Sequence, residues 1–201
     1  MLLQVVSARK FSYLEDLSVF VKRTLLARNL FTQSDQKPST YMIILIAFIA
    51  HWFLSLFMHS FFLHRYAAHQ MFKMNKFWEK TFFVLMWITQ NSSFLSPRAY
   101  AILHRMHHAY SDTEKDPHTP TMYPNPLVMI WKTRETFVAI QDEDVEIEEK
   151  FRGGYPTWDK VEAFMESPFS RIMWGALFVA FYVAFATAWW QFLLLPLHWF
   201  M

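Results

Sequence analysis

Residues 41–63 (YMIILIAFIAHWFLSLFMHSFFL) form an apolar run interrupted only by Ser55, Ser60, His51 and His59. About 20 apolar residues cross a bilayer as one helix. In hydrocarbon an unpaired backbone amide is so costly that only helices and closed barrels span. The run therefore predicts one spanning helix, ending directly at His64. A second run, residues 172–195 (IMWGALFVAFYVAFATAWWQFLLL), predicts another, with Arg171 at one end and Trp189 and Trp190 toward the other as interface anchors. Residues 77–95 are weaker: an apolar core at 82–88 is too short to span, and polar Thr89, Gln90, Asn91, Ser92 and Ser93 follow. That pattern predicts an amphipathic helix lying in the interface.

Composition supports lipid contact. Aromatic residues make up 19% of the chain, with 22 Phe and 9 Trp against 3 Gly, more aromatic and poorer in glycine than soluble domains usually are. The net charge of +2 comes from basic residues scattered among 17 acids, which gives no basic stripe for nucleic acid. With no cysteine in the chain, disulfides, zinc–thiolate sites and iron–sulfur clusters are excluded. A protein-bound metal here would rely on His, carboxylate or backbone oxygen.

Residues 1–40 show no apolar core followed by small residues, hence no secretory signal. Residues 19–30 have a weak amphipathic pattern that suits an interfacial helix. Further on, Pro97 predicts the first turn of a helix over 98–109. The four prolines in residues 117–126 predict an extended loop, the acidic run 141–149 a solvated face, and Gly153, Gly154 and Pro156 a turn.

Five of the nine histidines fall in two clusters, His64-Arg-Tyr-Ala-Ala-His69 and His104-Arg-Met-His107-His108. On a helix His104, His107 and His108 share a face and reach one or two metals. His64 and His69 diverge by about 140° on a straight α-helix, which favours two separate metals or a frayed helix end. Imidazole suits iron, zinc, copper or nickel, and residue type alone does not choose among them. Of the rest, His51 and His59 lie in the first span as buried, hydrogen-bonded neutral residues, and His198 opens the last apolar stretch.

The string HRYAAH resembles the first histidine box of the membrane fatty acid desaturases, acyl-CoA desaturase-like and of bacterial type. HRMHHAYSDTEKDPHTP resembles their second box with its polar tail, Ser111 to His118. The order and spacing follow the family from residue 41 to 201. The resemblance implies an all-α, membrane-embedded helical bundle with spanning helices, an interfacial amphipathic helix and a cytoplasmic cap of histidine boxes. It implies His64, His69, His104, His107 and His108 as ligands of two ferrous ions, with O2 as co-substrate. Asp112, Asp116 and His118 stand behind them, the two acids accepting the outer N–H of ligand histidines. The implied reaction inserts a cis double bond into a fatty acyl chain carried on coenzyme A, acyl carrier protein or a lipid. A separate carrier of ferredoxin or cytochrome b5 type supplies electrons. The implied location is the bacterial inner membrane, with the active site on the cytoplasmic side. Phe61, Phe62, Trp87 and Met106 are candidate walls for the acyl chain, although ordinary packing explains each.

The chain departs from the family in three ways. The family's N-x-x-x-H and final H-x-x-H-H boxes do not occur, which reads as a partial domain over 41–201 truncated at the C-terminus. Ile102 and Leu103 precede the second box where animal-type relatives carry polar residues, leaving the carrier open. Residues 1–40 hold six Lys and Arg on the side the positive-inside rule disfavours, and are expected to be an extension, with Met42 the natural start. A lipid hydroxylase of the same histidine-box group and an inactive membrane remnant are the alternatives. A histidine-rich metal carrier fits poorly, since no cysteine or charged translocation path is present.

Overall fold

The computed structural model describes residues 38–200, with side chains from Met42, and the expectations for residues 1–40 lie, but for 38–40, outside that range. The described residues contain helices and no strands. Helix α1 (Pro38–Met58) continues without a break as a π-helix, His59–Ala68. Helix α2 is Lys76–Gln90, followed by a 3-10 turn, Asn91–Ser93. Helices α3 (Pro97–Tyr110) and α4 (Pro126–Gln141) bracket the proline-rich loop. A 3-10 turn at Glu149–Phe151, then α5 (Asp159–Glu166) and α6 (Pro168–Phe185), lead to a 3-10 segment, Trp189–Leu194, and α7 (Leu195–Trp199).

Among the described residues, two helices are long and apolar enough to cross a membrane, Met42–Ala68 and Pro168–Phe185. Ile46, Ile49, Trp52, Phe53 and Leu56 on the first are at least half exposed, an arrangement that is stable against lipid and costly against water.

The second span differs from its sequence expectation at both ends. It starts at Pro168, where Ser167 caps the helix by accepting from Ser170 N and proline occupies the first turn. It ends at Phe185, because Ala186 adopts an extended conformation (ψ 129°). The Gln191 side-chain oxygen then accepts from Thr187 N (2.6 Å) and Ala188 N (3.1 Å) and turns the chain. Trp189 and Trp190 thus belong to a separate segment. The segment folds back on α6, where Gly175 admits the Trp199 ring: a Cβ there would lie 1.6 Å from it. Ser92 and Ser93 both donate to the Trp199 carbonyl, at 2.7 and 3.0 Å.

The polar stretch after α2 also departs from expectation, since it faces inward. Thr89, Gln90, Asn91 and Ser92 are buried. His51 Nε2 donates to Thr89 O at 2.6 Å and lies 2.8 Å from Asn91 Nδ2, while Gln90 Nε2 reaches His59 Nδ1 at 3.4 Å. His51 of α1 thus serves the Thr89 carbonyl and His59 of the π-helix the Gln90 amide, polar groups that require partners when removed from water.

One apolar cluster joins Met58, Phe62 and Leu63 to Phe83, Met86 and Phe94. A second joins Ile102 and Leu103 to Ile140, Ile147 and Phe151. Each fully buried side chain of this size contributes about 1.5–3 kcal/mol. Ile102 and Leu103 therefore serve packing. The same holds for the four candidate wall residues: Phe61, Phe62 and Trp87 pack in the first cluster and Met106 against the second.

Helix α5 is tied to the start of α3 by Ser96, whose Oγ donates to Glu162 Oε1 at 2.5 Å. One turn on, Glu166 is pushed up to about 7 by burial and by the neighbouring Glu162 charge. A carboxyl raised in the folded state favours folding at low pH, and that advantage is lost as pH climbs from its unfolded value toward 7. Glu166→Gln is accordingly expected to raise the melting temperature at pH 8 by about 2–4 °C, the scale of 1 kcal/mol for a chain this size. At pH 5 it should change little. Thermal denaturation of both proteins at the two pH values checks this.

Candidate metal centre

The first two histidines are aligned by the π-helix. Its hydrogen bonds run from residue i+5 to residue i, and His69 N donates to His64 O at 3.0 Å. Residues five apart, which diverge on an α-helix, are thereby stacked on one side, with ring centroids 4.6 Å apart. The divergence of about 140° expected on a straight α-helix does not occur, and the two rings converge where the helix ends. Tyr66 steadies the same turn by donating to Glu79 Oε2 of α2 at 2.5 Å.

Helix α3 brings the second pair. His104 and His108, one turn apart, have centroids 4.6 Å apart, and His64 to His104 is 4.7 Å. His104 Nε2 lies 3.0 Å from both His69 Nε2 and His108 Nε2. One ring nitrogen from each of His64, His69, His104 and His108 falls within 4.8 Å of the others. Burial, then the neighbouring histidines His108, His64, His69 and His107, drives His104 down to about 3. His69 is lowered too, by burial first and then by His64, His108 and Arg105. Both rings are therefore neutral near pH 7, the form that ligates metal.

His107 does not join this group, although the helix face suggested it would. Its ring is turned toward the loop, with centroids 5.7 Å from both His108 and His118. A carboxylate only accepts, so His107 Nδ1–H donates to Asp116 Oδ1, at 2.8 Å. The Asp116 side chain is wholly buried. It also accepts from His118 N at 2.8 Å and Asp112 N at 2.9 Å. Burial alone would raise it, but the bonds from His107, His118 and Asp112 prevail and hold it below the usual carboxylate range. Asp112 touches no histidine. It sits at φ +60° and accepts from Thr119 Oγ1 at 2.8 Å. His118 Nδ1 pairs with Thr133 Oγ1 of α4 at 3.0 Å. His198 is buried elsewhere, its Nδ1 against Tyr182 OH at 3.0 Å.

Arg105, inside the second cluster, was not marked by sequence reasoning. Its guanidinium bonds four backbone carbonyls. An arginine between two candidate ligands was the available signal.

Four convergent imidazoles fit one metal ion of the borderline type that nitrogen donors favour. A fatty acid desaturase family model matches residues 38–201. No curated protein and no solved structure gives a match. The match covers most of the chain and both histidine clusters, and the chain belongs to the fatty acid desaturase family.

Proposed function

We propose that the protein is an acyl desaturase of the bacterial inner membrane, working on the cytoplasmic side on fatty acyl chains carried by coenzyme A, acyl carrier protein or a lipid. The observation that carries this reading is the four-histidine convergence within 4.8 Å, inside a family-matched chain. His64, His69, His104 and His108 would hold one iron, and His107, oriented by Asp116, would offer its Nε2 to a second. When bound, the iron pair would supply the reduction of O2 to two waters, using two carrier electrons, two protons and the two hydrogens removed from adjacent methylenes, which leaves a cis double bond. A ferredoxin or cytochrome b5-type protein supplies those electrons.

The chain's own residues prepare that site. The π-helix and α3 fix ring directions, so little ordering is left to metal binding. The spans α1 and α6 anchor the protein, and the histidines follow the end of the first. A cavity of about 540 Å³ beside α1, lined by Phe48, Trp52, Ser55, Leu56, His59 and Leu197 among others, is mainly apolar and of a size that takes an alkyl chain.

Expression in a host of defined lipid composition, followed by fatty acid analysis, tests the function. A new cis-olefin, with close to two irons per purified chain, is the expected result. An alcohol of unchanged chain length would assign the protein to the hydroxylases, and neither product nor iron would mark an inactive remnant.

A further inference from the structure

We propose that Arg105 is the positioning residue that sets the histidine geometry, by holding the end of the π-helix in register with α3; the inference rests on the metal-centre reading above. The last carbonyls of a helix lack partners within it. Here Ala68 O receives Arg105 Nε at 2.8 Å and Ala67 O receives Nη2 at 2.9 Å. The remaining arm, Nη1, donates to Phe151 O at 3.0 Å and to Gly153 O at 2.8 Å. One planar group thus joins three segments: α3, the π-helix terminus and the 151–153 turn.

The placement of these bonds gives them leverage. Arg105 follows His104 directly, and the carbonyl it holds on Ala68 immediately precedes His69. His104 and His69 are the pair whose Nε2 atoms stand 3.0 Å apart. The bond from Arg105 to Ala68 is therefore the shortest mechanical link between the two halves of the cluster. The approach is possible because Ala67, Ala68 and Ala101, all buried, let the two helices meet closely. Gly153, at φ +79°, turns the chain so that its carbonyl faces the guanidinium. The Tyr155 ring lies 5.6 Å from the guanidinium carbon. Lysine carries three donors on one nitrogen and cannot reproduce a planar fork that serves four acceptors in two directions.

Cobalt(II) titration of the full chain in detergent tests this, because cobalt's visible bands report the geometry of its ligands. The wild type is expected to bind cobalt and the His104→Ala variant to lose it. Arg105→Met should weaken binding about tenfold to a hundredfold, the usual cost of removing a group that orients ligands, with shifted bands, and Arg105→Lys should recover part of both. Unchanged affinity and spectrum in Arg105→Met would overturn the proposal. If the wild type takes up no cobalt, or His104→Ala binds it as well, the metal-centre reading fails instead and this inference goes with it. Should Arg105→Met not accumulate, hydrogen exchange in Arg105→Lys decides. Faster exchange confined to residues 59–71, with 168–185 unchanged, is expected, and equal exchange throughout refutes the idea.

Discussion

Replacing His104 with alanine should eliminate metal from the four-histidine cluster and any activity that depends on it. His104 sits between two others, its Nε2 3.0 Å from His69 Nε2 and 3.0 Å from His108 Nε2. Its removal leaves His64 and His69 on the π-helix facing His108 alone. Three donors on two elements, with the central one missing, no longer enclose a single ion. The fold should survive, because His104 is only partly buried and its one apolar contact is a ring stacked on the partly buried Tyr100 at 5.5 Å. His198→Ala is the informative contrast. That residue is 2% exposed and its loss strands the Tyr182 hydroxyl, at a cost of about 1–3 kcal/mol for an unsatisfied buried group. It should lower the melting temperature and leave metal uptake intact. Metal analysis and thermal denaturation of the two variants side by side separate the roles. Metal retained by His104→Ala would contradict the cluster assignment.

What the sequence conveyed, and what it withheld, follows from the range of each signal. The span at residues 41–63 was legible because hydropathy is local and the backbone must close its own hydrogen bonds in lipid. The start of α3 was legible because Ser96 and Pro97 form a local cap. The pairing of His64 with His69 was not. It depends on a π-helix, and residues 59–68 carry no signature that separates one from an α-helix. The inward turn of residues 89–91 was hidden because the histidines beside them, His51 and His59, lie about ten turns of helix away in sequence at 3.6 residues per turn. The end of α6 at Phe185 was missed for a similar reason: hydropathy continues through residue 195, and the break is made by one side chain, Gln191, folding onto two backbone amides. The two aspartates show the limit most clearly. The sequence offered Asp112 and Asp116 alike as candidates to orient a histidine. Only Asp116 reaches one, and Asp112 acts by shaping the loop that delivers it.

That asymmetry leads to the most discriminating substitution, Asp116→Asn. The carboxylate can only accept, so it fixes the proton of His107 on Nδ1 and leaves the Nε2 lone pair free. The amide keeps the shape. Its oxygen can take the place of one carboxylate oxygen only: Oδ2, which accepts from Asp112 N at 2.9 Å, or Oδ1, which accepts from both His107 Nδ1 and His118 N at 2.8 Å. With the oxygen kept on Asp112 N, the NH2 takes the Oδ1 place at the cost of the His118 N bond, donates to His107 Nδ1 and drives the proton to Nε2. A protonated Nε2 has no lone pair for a metal. Binding through His107 should therefore weaken by about tenfold to a hundredfold, as for other groups that orient a ligand imidazole. The four-histidine cluster, which Asp116 does not touch, should keep its affinity. Asp116→Ala should differ in kind. It strands the two backbone donors and the ring, each charge-assisted bond lost costing about 1.5–3 kcal/mol, and unfolds the 111–119 loop before any tautomer matters. The measurement is metal stoichiometry with thermal stability for both variants. Loss of one metal class from Asp116→Asn, with a smaller loss of stability than in Asp116→Ala, is the expected result, and equal losses of metal and stability in both would reduce Asp116 to a structural residue.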